Sequence, residues 1–464
     1  MDLERLFYPR SIAVVGVSPN ISGDRIPFYH ILKSVGYEGA LYPVNPSYKE
    51  INGEKVYPSL EAIPGEIDLV IVVVAAKRAM GVLESAVKKG VKFIHFFTSG
   101  FSEVGNTDLE AAMIKLARSG NIRIVGPNCI GVYCPESKVT PDPTLKQARP
   151  GKVAFLGQSG GMTNDFMRML HARSTDLNKA VSIGNQMDLR VEDYIEYFAG
   201  DDRIKVIAAY IEDIKDGRAF VDVLKRTTPK KPFAVLKGGR TSQGAKAAAS
   251  HTGAMAVQDD VWAAVMRQHR CIEAQTMEQL ADVAMIAATD RIPTGPRLGF
   301  LGAGGGISVM FTDFAIMHGL ALPELNKKTR DIIAEKIPAV NTSTANPVDL
   351  GAFGLDHQIL AHTMKAMDAD DNIDVIIPYF SIDWMSIFSN DQVEKGVNTV
   401  IETARNIGKP AIPVLSTAAA GDLHIEKVRS GIFSKFRDAG FPAFKDIHSV
   451  ILAVKCILQW SGKR

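Results

Sequence analysis

Three times the chain runs from a short apolar strand through a glycine turn into a helix-like segment, and that recurrence confines it to one fold class. The stretches read Ser11-Ile12-Ala13-Val14-Val15-Gly16-Val17-Ser18, Lys152-Val153-Ala154-Phe155-Leu156-Gly157-Gln158-Ser159-Gly160-Gly161 and Arg297-Leu298-Gly299-Phe300-Leu301-Gly302-Ala303-Gly304-Gly305-Gly306. A β-branched or apolar run closed by glycine is the pattern of a buried parallel strand. Further apolar runs at 69–74, 93–98, 206–211, 233–237, 375–379 and 411–416 alternate with helical stretches, as crossover connections require. The expected fold is α/β: three consecutive Rossmann-like or flavodoxin-like domains with mostly parallel sheets. At 464 residues the chain is too long for a single core. Proline gathers at Pro135, Pro141, Pro143 and Pro150, and again at Pro293 and Pro296, where neither helix nor central strand is favoured. The domains are therefore expected at 1–134, 150–290 and 296–464.

Several function classes lose support on composition. The formal net charge of +2 argues against nucleic acid or an anionic membrane as a partner. The longest apolar run, 69–76, is too short to span a bilayer. Charges at Asp2, Glu4 and Arg5 with no apolar block after them give no secretory signal, so a cytoplasmic location is expected. The four cysteines, Cys129, Cys134, Cys271 and Cys456, form neither a disulfide framework nor a paired CxxC zinc site, and no metal site is expected in the chain.

A glycine turn that opens a helix brings free N–H groups to the positive end of the helix dipole, which is an anion site. The first turn lacks the GxGxxG fingerprint, so a nicotinamide dinucleotide is disfavoured. There is no GxxxxGK[ST] phosphate loop and no G-x-S-x-G elbow. The turns at Ser159-Gly160-Gly161 and Gly304-Gly305-Gly306 are candidate phosphate sites. Around the first unit, Gly16-Val17-Ser18, Asn45-Pro46, Thr98-Ser99-Gly100 and Gly126-Pro127-Asn128 all follow strands. They would converge on one crevice at the carboxyl end of the sheet.

The segment 237–256 places one imidazole, His251, among glycines and small residues, with no bulky side chain from Gln243 to Met255. It has almost no apolar area to bury, so a slim, mobile loop is the expectation. A neutral imidazole on such a loop suits a group that is loaded in one place and unloaded in another.

These motifs together resemble the nucleoside-diphosphate-forming acyl-CoA synthetases, relatives of succinyl-CoA synthetase, and within them the α subunits of the archaeal-type ADP-forming enzymes. The residues that carry the resemblance are 6–16, Gly126-Pro127-Asn128, Gln158-Ser159-Gly160-Gly161, Ser250-His251-Thr252-Gly253-Ala254 and Asn346-Pro347-Val348-Asp349-Leu350, and it extends over essentially the whole chain. It implies a first domain that binds coenzyme A, a second with a phosphorylated histidine at His251, and a third like a ligase domain with Gly304–Gly306 as a second phosphate-binding start. It implies reversible conversion of acyl-CoA (acetyl-CoA above all), phosphate and ADP to acid, coenzyme A and ATP by way of an acyl phosphate. It also places Glu212 as the carboxylate that orients and stabilises the phosphohistidine, although from the residues alone Asp213 serves as well. The acyl site is expected near Asn128, Ser159 and the glycines of the third domain.

The family also needs an ATP-grasp nucleotide-binding module, and no part of this chain is left over for one. The resemblance therefore implies a separate β subunit, in an α2β2 assembly, that holds ADP or ATP and Mg²⁺. A second reading is a regulatory protein that senses acyl-CoA without turnover. Retention of His251 and Glu212 favours the ligase over the sensor.

Overall fold

The computed structural model describes residues 2–19, 26–145, 148–173, 175–246 and 259–462. Three α/β sheets fall into two compact units, one comprising Met1–His171 with Asp176–Gln275, the other Ala172–Thr175 with Thr276–Arg464.

The first unit begins with β1 (Ser11–Val15), β2 (Ala40–Val44), a small hairpin of β3 (Glu50–Ile51) and β4 (Glu54–Lys55), then β5 (Leu69–Val72), β6 (Phe93–Phe96) and β7 (Arg123–Val125). The first sheet has the order β2-β1-β5-β6-β7 and is parallel throughout. Every residue of β1, β5 and β6 is buried, as strands covered on both faces require. The order reverses between β1 and β5, which opens a crevice beyond their carboxyl ends.

The same unit carries a second sheet, built from β9 (Val153–Gly157), β10 (Leu177–Ser182), β11 (Val206–Ile211), β12 (Phe233–Lys237) and β13 (Ile272–Ala274). Its order is β13-β12-β11-β9-β10-β8, where β8 (Val132–Tyr133) is an antiparallel edge strand supplied by the chain just after the first sheet. Here the order reverses between β9 and β11. Helices cover the faces with the expected amphipathic spacing. In Gly217–Thr227, Phe220, Val223, Leu224 and Thr227 are buried, and Asp216 caps the start by accepting from the Ala219 amide at 3.0 Å.

Two contacts join the sheets of this unit. Phe7, on the helix Glu4–Phe7, stacks on Tyr197 with ring centroids 5.4 Å apart, and Tyr8 donates to Glu136 at 2.6 Å. Beneath them the fully buried Lys179 donates to Asp201 at 2.6 Å and lies 5.0 Å from the Tyr8 ring. Burial alone would raise the Asp201 pKa, but hydrogen bonds from Arg203 and Lys179 hold it well below the usual carboxylate range. The second contact lies nearer the crevice. Asp188 accepts from Arg123 Nε at 2.7 Å and from the Ile124 amide at 2.9 Å, and the Asn185 amide donates to Pro127 O at 3.1 Å. The loop after β10 is thus fastened to the segment after β7.

The second unit has β14 (Leu298–Gly302), β15 (Val348–Asp349), β16 (Val375–Ser381) and β17 (Val414–Ser416) in the parallel order β15-β14-β16-β17. The helix Met277–Ala287 packs on Ile447–Ser461 in this unit, where Gln279 donates to Cys456 Sγ at 3.5 Å.

The strands expected at 206–211 and 233–237 form over those residues, and those at 69–74 and 93–98 end two residues early. Strand β10 was not expected. Its sequence Leu-Asn-Lys-Ala-Val-Ser is too polar to read as a buried strand, and it is stable there because Asn178 and Asp201 satisfy the Lys179 ammonium.

Candidate active site

A cleft of about 500 Å³ lies at the carboxyl ends of the first two sheets. It is lined by the apolar Val73, Val74, Ala75, Phe97 and Ile130 and by Thr98, Ser99, Asn128, Gln158, Ser159, Gly160 and Gly161. The structure therefore brings Thr98, Ser99 and Asn128 together with Ser159, Gly160 and Gly161. Gly16, Val17, Ser18, Asn45, Pro46 and Gly100 are not among its described lining residues.

The turns on the first-sheet side are cross-linked. Thr98 donates its hydroxyl to Val74 O, and the Asn128 amide donates to Thr98 O at 3.0 Å. Asn128 holds a left-handed backbone with φ 58°, after a cis Gly126–Pro127 bond. Asn45 donates to Val17 O at 2.7 Å and so secures the first turn. Gly16 has φ 98°, and a Cβ there would come within 2.8 Å of Val74 Cγ1, so only glycine lets β1 and β5 part at this point.

On the second-sheet side the helix Gly160–Ala172 opens directly into the cleft. Ser159 Oγ accepts from the Met162 amide at 3.4 Å, and no hydrogen bond engages the Gly160 and Gly161 amides among the described residues. A 13-residue helix with open N-terminal amides among polar residues is suited to an anion. Cys129 also lines the cleft, but burial pushes its thiol up to about 12, so it is not a nucleophile at neutral pH.

Gln158 links this helix start to the end of β11. Its Oε1 accepts the amides of Glu212 at 2.8 Å and Asp213 at 2.9 Å, and its Nε2 donates to Asp213 Oδ1. Asp213 also receives Gln186 Nε2 at 3.1 Å and Lys215 at 2.9 Å, so its carboxylate is committed to the fold. Glu212 differs. Its Oε1 accepts the Tyr210 hydroxyl at 3.2 Å, and its buried Oε2 has no partner among the described residues. Burial first, then the Glu212 carboxylate, pushes the Tyr210 phenol well up, so it remains a donor. Of the two carboxylates the sequence offered, Glu212 is the one with an oxygen that no described residue engages. His251 lies outside the described residues.

In the second unit Gly304 stands at φ 118° before the helix Gly305–Met317. Its amide donates to Asp349 Oδ1 at 3.1 Å, and a Cβ on Gly305 would meet Asp349 Oδ2 at 3.1 Å. This helix start already faces a carboxylate. Asn346 of the same motif is structural: it donates to Leu298 O at 2.7 Å and to Pro323 O at 3.0 Å.

Sequence reasoning missed Tyr210, Lys237 and the linking role of Gln158. Tyr210 was within reach, because residues two apart on a strand share a face. Lys237 closes an apolar strand and is buried, with its ammonium on Glu212 O at 2.7 Å.

Comparison with known proteins agrees with this arrangement. A model of a CoA binding domain matches residues 10–135, and a model of a succinyl-CoA ligase like flavodoxin domain matches 150–287. The alpha subunit of ADP-forming acetate–CoA ligase II from Pyrococcus furiosus is 32% identical over 98% of this chain and 97% of its own length. The ADP-forming acetate–CoA ligase of Methanocaldococcus jannaschii is 35% identical over 75% of this chain, which spans 49% of that protein. A solved structure of a dinucleotide forming acetyl-coenzyme A synthetase 1 from Candidatus Korarchaeum cryptofilum, in complex with phosphate and ADP, superposes with a TM-score of 0.86 at 30% identity, covering 99% of this chain and 97% of that one. The fold is that of the ADP-forming acid–thiol ligases. The chain belongs to the alpha-subunit family of the ADP-forming acetate–CoA ligases.

Proposed function

We propose that the cleft is where an acyl-CoA thioester meets inorganic phosphate, and that the chain is the acyl-transferring and phosphoryl-accepting half of an ADP-forming acyl-CoA synthetase, with acetyl-CoA as its first candidate substrate. The observation that carries the reading is the union, in one cleft, of the CoA-side turns Thr98, Ser99 and Asn128 with the open helix start at Ser159–Gly161. Gly16, Val17, Ser18, Asn45, Pro46 and Gly100 would shape the nucleotide end of the coenzyme A site beyond those turns.

Phosphate held at Gly160 and Gly161 attacks the thioester carbonyl. A C–O bond forms, the C–S bond breaks and the thiolate leaves as coenzyme A. The acyl phosphate then passes its phosphoryl group to an imidazole nitrogen of His251. An N–P bond forms, the P–O bond to the acyl group breaks, and the carboxylate acid leaves. Backbone amides aimed at the phosphoryl oxygens stabilise the charge in both steps. Glu212 Oε2 accepts the N–H of the imidazole and leaves the other nitrogen unprotonated for attack. The start at Gly304–Gly306, which already faces Asp349, is the weaker of the two anion sites. A separate ATP-grasp β subunit, in an α2β2 assembly, would hold ADP and Mg²⁺ and take the phosphoryl group from His251. The partial match to the longer M. jannaschii protein supports a second half of this kind.

The test is ATP formation from acetyl-CoA, phosphate and ADP by the chain with its partner. His251→Ala should lower the rate at least about a thousandfold, as loss of a covalent nucleophile does. Full activity in that variant would contradict the reading, and acyl-CoA binding without turnover would favour a sensor.

A further inference from the structure

Buried carboxylates collect donors, and Asp213 does so on both oxygens. Glu212 is only 7% exposed, yet one of its oxygens has no partner among the described residues. Such an oxygen is costly, and its charge calls for an opposite one close by. Lys215 is spent on Asp213 and Arg240 on Asp259, at 2.9 Å each. Lys237 is a further cation beside this carboxylate pair, its charge attracted first by Asp213 and then by Glu212.

Lys237 pairs in register with Ile211, the residue before Glu212. Its ammonium donates to the main-chain oxygens of Glu212 and Gly238 and lies 5.8 Å from the centroid of the Trp262 ring. Its N–H groups are thereby directed at two carbonyls and an indole face, so it lends its charge without occupying that oxygen. Tyr210 takes the other carboxylate oxygen. Gly238 leaves room for both side chains: a Cβ there would lie 2.7 Å from the Tyr210 hydroxyl and 3.2 Å from Glu212 Cγ.

We propose that Tyr210 and Lys237 are positioning residues that hold Glu212 aimed, with Oε2 kept as its available acceptor for an imidazole N–H. The inference rests on the role given to Glu212 above. The charged groups that surround Lys237 and Glu212 are Asp213, Asp259 and Arg240, with Lys215 beyond Asp213. Removal of the lysine charge leaves carboxylates in the majority there, and mutual repulsion would then turn the Glu212 side chain from its present pose.

The experiment is the rate of acid-labile phosphorylation of the full chain by acetyl phosphate. Lys237→Met should slow phosphorylation about tenfold at neutral pH with the KM for acetyl phosphate unchanged, and Lys237→Arg, which keeps the charge, should recover most of the rate. Tyr210→Phe should act in the same direction by about threefold, since a single hydrogen bond to a charged group is lost. Tyr210→Phe removes only a hydroxyl and carries the test alone if Lys237→Met does not fold. Wild-type rates in both Lys237→Met and Tyr210→Phe, or a loss that appears in KM alone, would overturn the proposal. Glu212→Gln separates the two layers: if it is slow while the other variants are normal, only the positioning role fails. If Glu212→Gln is itself normal, the role of Glu212 fails.

Discussion

The second and third sheets repeat one device and then differ in what faces its end. In each, a strand phenylalanine stacks on a helix phenylalanine across the glycine turn: Phe155 on Phe166 and Phe300 on Phe311, both with centroids 4.1 Å apart. The turns read Phe-Leu-Gly-Gln-Ser-Gly-Gly and Phe-Leu-Gly-Ala-Gly-Gly-Gly. In the first case Gln158 draws the nearby acidic residues Glu212 and Asp213 into its own hydrogen bonds, and the Gly160 and Gly161 amides stay open to the cleft. In the second, alanine stands in the place of that glutamine, and Asp349 sits against the helix start itself. A shared scaffold thus yields one helix end ready for an anion and one already facing a carboxylate. The side chain after the glycine, more than the helix, decides which.

The largest expected effect tests the shared part. Phe166→Ala and Phe311→Ala should each destabilise their own unit by about 3–5 kcal/mol, as truncation of a buried aromatic does. Two unfolding transitions followed by denaturant would show each variant moving its own transition. A similar loss in both would support the repeat, and a loss in only one would break it.

The next effect tests the difference. Ser159→Asp places a carboxylate at the second-sheet helix start, as Asp349 does in the third. It should raise the KM for phosphate by about a hundredfold through like-charge repulsion at close range. A change below about threefold would mean that phosphate does not bind at this helix.

Acid should also separate the units. His95 is fully buried, and burial lowers its pKa from 6.5 to about 4, against a hydrogen bond with Cys129 O at 2.9 Å. A histidine with a depressed folded pKa contributes stability above the unfolded value, and that contribution is lost as pH falls towards the folded one. Between pH 7 and 5 the first unit should therefore lose about 2 kcal/mol, at 1.36 kcal/mol per pH unit below the unfolded value. The window lies above the pKa range of ordinary carboxylates. His95→Gln should flatten this slope, as chemical denaturation at several pH values would show.

Asp349→Asn should have the smallest effect, a change in the phosphate KM of about threefold or less, because a helix terminus contributes only modestly by itself. A larger gain in phosphate affinity would promote the third-sheet start to an equal partner in anion binding.

Much of this was legible in the sequence because buried parallel strands leave a strong local pattern. Runs such as Val206–Ile211 and Phe233–Lys237 are apolar from end to end and bounded by turn residues. The helix start at Ser159–Gly161 was legible for a like reason, since glycines at that place have few other uses. What escaped depends on partners distant in the chain. Strand β10 hides behind Lys179, whose counter-charge Asp201 lies 22 residues on. The different surroundings of Glu212 and Asp213 rest on Gln158, Gln186 and Lys215, and no spacing rule ties those three together. Lys237 closes the apolar run 233–237, and nothing in the sequence shows it buried with its ammonium on the main chain of Glu212.

The central claim is that a phosphoryl group made in the cleft is taken by His251. It is tested most directly by incubating the purified chain with acetyl-CoA, phosphate and magnesium, without nucleotide or partner, and with acetyl phosphate in parallel. Intact mass and peptide mapping then read the product. The account predicts one acid-labile phosphate, on the peptide that contains His251, from acetyl phosphate at least. No phosphate on that peptide under either condition would contradict it.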